Sequence, residues 1–448
     1  MRTVLPAQLI TELASRFEGQ NQGLPEPRAG AAWTQPVHVV YGGAHLFHSD
    51  TAQRLGAIAL RTLQEYAPSA KFFAGVVGIG DSFAQTVYTR LIEKLGREPV
   101  EDFRLDFEDG YGNRPDAEED GHAESSAIEV ARGMAAGQLP PHIGIRIKPL
   151  NADLHKRSVR TLDIFVSTLA EKTSSRLPAG FVVTLPKVAS AGQVEALVTI
   201  FERLETVLGF GPETLRMELM IETPQAILNE RGQCALPQLV EAARGRCRGV
   251  HFGPYDYTAS LGITAAYQHL EHPACDFARE VIQVALAGTG VWLSDGPTNI
   301  LPVALHRTAK GGPALSAAQV DENRSSIHRS WKLHFDDVQH SLASGFYQGW
   351  DLHPAQLITR YGALYDFFLS GLEAASERLH NFIQKAAQAT LVGEVFDDAA
   401  TGQGLLNYFL RAIRAGAVTE QETQQRTGLT LQELRGGSFL KIAENRRA

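Results

Sequence analysis

The chain has 448 residues, 44% of them hydrophobic and 21% charged, which supplies a large core and argues against a mostly disordered chain. Forty-two basic against 50 acidic residues leave a net charge of -8, so bulk charge speaks against a nucleic-acid partner. No unbroken apolar stretch approaches the length of a membrane span, and the expectation is no membrane partner. Residues 6–17 read as a leading helix and 18–35, rich in Gly, Pro, Asn and Gln, as a linker. From there a short apolar run, a polar loop and an amphipathic helix recur. The predicted strands are 36–41, 103–107, 143–148, 181–186, 216–221, 248–253, 291–295 and 349–353. Between them, 50–66 and 191–208 place apolar residues on one stripe at helical spacing, and Ser190 with Gln193 forms a capping box before the second.

Strands alternating with helices imply parallel pairing through right-handed crossovers, and eight units predict a closed (β/α)₈ TIM barrel over 36–370. Residues 71–79 (KFFAGVVGI) read as a ninth strand within an insertion at 67–100. Residues 296–328 read as a long loop, inside a second insertion at 296–345. Residues 371–448 form a C-terminal helical extension, interrupted at 391–402. Its stretch 418–435 has the outline of a helix-turn-helix but reads as a packed helical pair in an acidic chain. Cys234, Cys247 and Cys275 are scattered and odd in number, which favours a reducing, cytoplasmic setting.

Nucleotide signatures are absent, and Gly80 to Ala84 reads as a helix N-cap rather than a nucleophile elbow. The chemistry lies in charged residues at the C-terminal strand ends, where a barrel gathers its catalytic groups. These are Asp106, Glu108 and Asp109 at the end of strand two, Arg146 and Lys148 on strand three, and Lys187 after strand four. Glu222 and Asp256 follow strands five and six, and Asp295 ends strand seven. Glu222 and Asp256 offer two hard carboxylates to Mg²⁺, to which a 2-oxo acid would chelate. Arg146 would then face the oxygen that turns negative in an enolate, the arrangement for breaking or making a carbon–carbon bond. The alternative is an inert mouth in which Glu222 and Asp256 pair with Arg146 and Lys187. Lys187 reads as an ion-pair partner rather than a Schiff-base lysine, and His251 and His353 as hydrogen-bonded barrel residues. His45 and His48 read equally as substrate contacts or loop caps, and Asp295 as a site group or a cap.

Six fragments, in order over residues 36–405, resemble the citrate lyase β-subunit, malyl-CoA lyase and HpcH/HpaI-type aldolase family. They are Phe107-Glu108-Asp109-Gly110, Arg146-Ile147-Lys148-Pro149 and Leu185-Pro186-Lys187-Val188-Ala189-Ser190. The others are Ile221-Glu222-Thr223-Pro224, Gly253 to Gly262, and Leu352-His353-Pro354-Ala355-Gln356. The resemblance implies a Mg²⁺-dependent carbon–carbon lyase or aldolase acting on a hydroxy or oxo acid. It implies Glu222 and Asp256 as metal ligands and Arg146 as the catalytic, substrate-binding arginine. Glu108, Asp109 and Lys187 would surround them, and the loop of Gly253 and Tyr255 would bind the substrate carboxylate. Asp397 would be an acid or base on a lid that reaches a neighbouring subunit, which implies a homo-oligomer, most simply a trimer. The first-strand loop, Tyr41-Gly42-Gly43-Ala44-His45, has no Lys or Arg between Arg28 and Arg54, so a free acid is expected rather than a coenzyme A thioester. Arg307, Lys310, Arg324, Arg329 and Lys332 are the alternative source of such charge. The rival functions are a phosphoenolpyruvate or pyruvate phosphotransferase on the same barrel and a non-catalytic binding subunit.

Overall fold

The computed structural model describes residues 35–308, 312–384, 390–392, 395–397, 399–436 and 439–447. The leading helix at 6–17 and the linker up to residue 34 lie outside them. All eight predicted strands are present: β1 His38–Gly43, β2 Asp102–Asp106, β3 His142–Arg146, β4 Val182–Leu185, β5 Arg216–Ile221, β6 Cys247–Phe252, β7 Trp292–Ser294 and β8 Gly349–Asp351. They form one parallel sheet in the order β7-β6-β5-β4-β3-β2-β1-β8. The ring closes where Ser294 bridges Gln348 in parallel and Asp295 N donates to Gln348 O at 2.9 Å. The Gln35 side chain spans this seam, donating to Leu293 O at 3.0 Å and to Gln348 Oε1 at 3.1 Å. The fold is a (β/α)₈ barrel with a C-terminal helical region.

Each strand is buried on both faces because helices cover the outside and side chains fill the inside. Outward residues such as Val40, Leu105, Ile145, Val183, Leu219 and Val250 join the main core against the helices. Inside the barrel, the apolar group is small: Val39, Tyr41, Met220 and Trp350. The rest of the interior is polar, which sets up the site.

The helices Thr51–Tyr66 and Ala191–Leu208 match the periodicity, the second with its Ser190–Gln193 capping box. Gly80 is the N-cap of the helix Asp81–Arg97. Two expectations are corrected. Residues 71–79 are no strand: Ala70–Val77 is a helix, opened by Ser69 Oγ accepting from Phe72 N and closed by Gly78 at φ 93°. Caps at both ends decide between helix and strand where an apolar run alone does not. Residues 296–328 are a loop only in part, because the helix Ala317–Ala343 begins inside them behind a Ser316–Gln319 capping box. That helix crosses from β7 to β8, so it is the barrel's own connection. The C-terminal region holds helices Leu372–Gln384, Ala399–Arg414, Glu420–Thr427, Leu431–Gly436 and Phe439–Arg447, with a short antiparallel pairing of 390–392 and 395–397. In the pair at 420–436, Thr423, Thr427, Leu429 and Leu434 are buried, as expected of a packed pair.

Candidate active site

Strand β2 reads Asp102-Phe103-Arg104-Leu105-Asp106, and its two-residue period turns all three charged groups into the barrel. Charge inside a barrel requires partners. In a lower tier, Arg104 meets Asp102 Oδ2 at 3.0 Å and Glu218 Oε2 at 2.6 Å, and also donates to Thr184 Oγ1 at 3.0 Å. His251 Nε2 adds a contact to Glu218 at 3.1 Å. This tier is closed on itself.

The upper tier is built on Arg146, at the end of β3 and 2% exposed. Its Nε and Nη2 fork onto both oxygens of Asp106, with the Nε bond at 2.7 Å. Asp106 in turn accepts Glu108 N at 2.9 Å and Gly110 N at 2.7 Å, which fixes the loop after β2. The guanidinium lies over the Tyr41 ring at 4.9 Å and the Trp350 ring at 5.3 Å. Burial works against its charge, yet the Asp106 carboxylate outweighs that and holds its pKa above the usual arginine value. Its Nη1 faces Glu108 at 3.2 Å and Asp109 at 3.8 Å.

Lys187 follows β4 with φ 51°, a left-handed conformation uncommon outside glycine. Its backbone N donates to Glu222 Oε1 at 2.7 Å. Its Nζ stands 2.6 Å from Glu108, 3.3 Å from Asp256 and 3.5 Å from Asp109. Burial raises the Glu222 carboxyl to about 8; Lys187 opposes the shift and Asp256 adds to it. Burial also raises Glu108, against the pull of Arg146. Gly253 lets Glu222 pass: a Cβ there would lie 2.6 Å from Cβ and Oε2 of Glu222. The structure thus brings Glu108, Asp109, Arg146, Lys187, Glu222, Gly253 and Asp256 to one mouth.

Other predicted residues stand elsewhere. Tyr255 spends its hydroxyl on the loop after β7, donating to Pro297 O at 2.8 Å and accepting from Asn299 N at 2.9 Å. Asp295 is structural, accepting from Ser341 Oγ at 2.6 Å and from Arg279. His353 Nδ1 accepts Ala355 N at 3.2 Å, and His48 N donates to Thr51 Oγ1 at 2.8 Å. His45 packs edge-on to Tyr111 beside the loop after β2. Asp397 ends the short strand Val395–Asp397, and its side chain lies outside the described residues. The sequence placed Asp106 among the strand-end charges but assigned it no role in the site. The alternation of Asp102, Arg104 and Asp106 on one strand face was the available signal.

Glu222 and Asp256 supply the hard oxygen donors that Mg²⁺ takes, and the space beside Glu222 is one that a Cβ at Gly253 would fill. No three His, Cys, Asp or Glu side chains form a ready-made cage among the described residues. Mg²⁺ bound through one or two carboxylates, with water and substrate completing its shell, needs none. The residues fit the ion.

The chain belongs to a family described as a domain of unknown function, DUF6986, whose model matches residues 25–442. No curated protein matches it. Among solved structures, a citrate lyase from Burkholderia xenovorans LB400 aligns with a TM-score of 0.56 at 17% identity, over 87% of this chain and 95% of that one. Protein CitE from Mycobacterium tuberculosis, in complex with magnesium, acetoacetate and coenzyme A, aligns at 0.45 and 15% identity over 85% and 97%. Haloferax volcanii malate synthase in its magnesium/glyoxylate complex aligns at 0.45 and 14% over 92% and 97%. The first alignment shows a shared fold with the citrate lyase, in agreement with the sequence resemblance.

Proposed function

We propose that this member of DUF6986 is a Mg²⁺-dependent enzyme of the lyase or aldolase type, which breaks or forms a carbon–carbon bond beside the carbonyl of a small 2-oxo acid. The observation that carries the reading is Arg146: a guanidinium locked by the Asp106 fork, with Nη1 turned toward Glu108 and the mouth. A preorganised donor of this kind stabilises charge that develops in the transition state without having to move. Bound at Glu222 and Asp256, Mg²⁺ would polarise the substrate carbonyl and anchor its carboxylate. Asp106 holds Arg146 in place as the oxyanion forms. Glu108 and Asp109 orient its free edge, and the Lys187 N–H fixes one oxygen of Glu222 so that the other stays available. Gly253 leaves room for that carboxylate. Tyr255 acts through the loop at 297–299 that it ties down. Asp397 is the proposed acid or base, supplied from a neighbouring subunit of a homo-oligomer; a single-chain mass in light scattering at micromolar concentration would overturn that assignment.

The test is thermal unfolding with glyoxylate, pyruvate and oxaloacetate, each with and without Mg²⁺. Ligand at about 100 times its Kd adds ~2.7 kcal/mol, enough for a melting shift that requires both components. Glu222→Gln and Asp256→Asn should each abolish that joint shift and any metal-dependent turnover while leaving the barrel folded, because an amide is a poor Mg²⁺ ligand. Joint shifts of wild-type size in both variants would sink the metal assignment. The substrate is proposed as a free acid; micromolar binding of coenzyme A or acetyl-CoA in calorimetry would reverse that choice.

A further inference from the structure

One ammonium serves the whole mouth. Lys187 Nζ touches Glu108, Asp256 and Asp109 at 2.6, 3.3 and 3.5 Å, while the backbone N–H of the same residue holds Glu222. Arg146 reaches Glu108 and Asp109 through Nη1 alone, because Asp106 takes its Nε and Nη2 and burial pins it in place. The two cations also differ in freedom. The Arg146 side chain is 2% exposed, whereas that of Lys187 is 31% exposed and hangs on a flexible four-carbon stem that opens to solvent. The backbone at Lys187 adopts the left-handed conformation, which places the N–H on Glu222 and the side chain among the other carboxylates.

We propose that the Lys187 ammonium is the resident cation of the mouth, and that a divalent ion enters by exchange against it. The inference rests on the metal reading above. Two cations beside Asp256 repel, and the more so in a half-buried mouth where water screens them poorly. The ammonium therefore leaves Asp256 as the divalent ion arrives, while its backbone N–H keeps hold of Glu222. No bond is made or broken in the exchange; one contact ion pair replaces another. In the mouth the ammonium stands between Glu108 and Asp256, in contact with both.

The test is Mn²⁺ affinity, read from the free-ion signal in electron paramagnetic resonance. Lys187→Asn removes the ammonium with a residue that tolerates left-handed backbone, and Lys187→Gly does so without a Cβ. Both should bind Mn²⁺ at least tenfold more tightly than wild type. A damaged fold would weaken binding, so a gain cannot come from damage. A measurement on the wild-type protein stands apart from folding of the variants: acetic anhydride should acetylate Lys187 severalfold more with saturating Mg²⁺ than without it, as read by peptide mass spectrometry. Unchanged or weaker Mn²⁺ binding in both variants, or labelling unaffected by Mg²⁺, would overturn the exchange. Glu222→Gln, run in parallel, separates the two claims. If it binds Mn²⁺ as well as wild type, the metal reading itself falls. If it alone loses binding while the Lys187 variants match wild type, only the exchange falls.

Discussion

Two glutamates on one strand carry opposite burdens. Glu218 and Glu222 both turn into the barrel from β5 or its end, and both are buried. At Glu218 burial raises the carboxyl, but Arg104 and His251 outweigh it and hold the group well below the usual carboxylate range. At Glu222 burial prevails and the carboxyl rises to about 8. In the lower tier Asp102 and Glu218 share Arg104, with His251 beside Glu218, whereas the upper tier sets Asp106, Glu108, Asp109, Glu222 and Asp256 against Arg146 and Lys187. A buried carboxylate with its own cation is architecture. One left short of positive charge is a place for something to bind.

Exchanging the roles of the two arginines tests this contrast most strongly. Arg104→Met strands Asp102 and Glu218 without their cation and should cost about 3–5 kcal/mol of stability in urea unfolding, while the folded fraction keeps wild-type metal affinity. Arg146→Lys should leave the fold intact and lower turnover by roughly 10²-fold, since an ammonium does not match the planar fork. A fewfold loss would make Arg146 structural too.

The pH dependence of the metal-free protein separates the glutamates by sign. Glu222 has a folded pKa above its unfolded value, so its contribution is fully present below about 4.5 and is lost as pH rises through about 8. Between those limits stability should fall by about 1 kcal/mol per pH unit from this group, and Glu222→Gln should remove that slope. Glu218 is depressed, so its contribution is present above 4.5 and is lost as the solution is acidified. A wild-type slope that survives in Glu222→Gln would break the comparison.

The smallest expected effect is at Gly253. Gly253→Ala brings a Cβ to 2.6 Å from both Cβ and Oε2 of Glu222, so the backbone must give as well as the carboxylate turn aside. Metal affinity should drop about tenfold, a loss of ~1.4 kcal/mol, and the overpacking should cost about 1–3 kcal/mol of stability. Unaltered calorimetric affinity would mean that Oε2 is not the oxygen in use.

The barrel was legible because parallel strands buried on both faces leave short β-branched runs between helical stripes, and all eight lie where the sequence placed them. The run at 71–79 misled because Lys71-Phe72-Phe73-Ala74-Gly75-Val76-Val77 is apolar on most sides of its helix; only Ser69 and Gly78 betray it. The helix Ala317–Ala343 hid behind Ser, Asn and Gln residues whose polar faces mimic a loop. At the site, strand-end charge pointed to Arg146, Glu222 and Asp256, since burying such groups needs a reason. Asp106 stood among those strand-end charges without a role, because its role depends on pairing across to β3, which sequence order does not display. Nor does sequence order show that one ammonium bridges Glu108, Asp109 and Asp256, which lie on different loops.

The seam between β7 and β8 has a consequence for how the protein is made. The two strands, three residues each, meet through the Ser294–Gln348 bridge and its neighbours, and β8 is the last strand of the barrel to be synthesised. Until it emerges, β1 and β7 are open edges of an incomplete sheet with unpaired backbone groups. At ~5–20 residues/s, translation from Ser294 to Asp351 takes roughly 3–11 s. For that interval the nascent chain carries two unpaired margins on either side of a nearly finished cylinder, each open to pairing with the wrong strand.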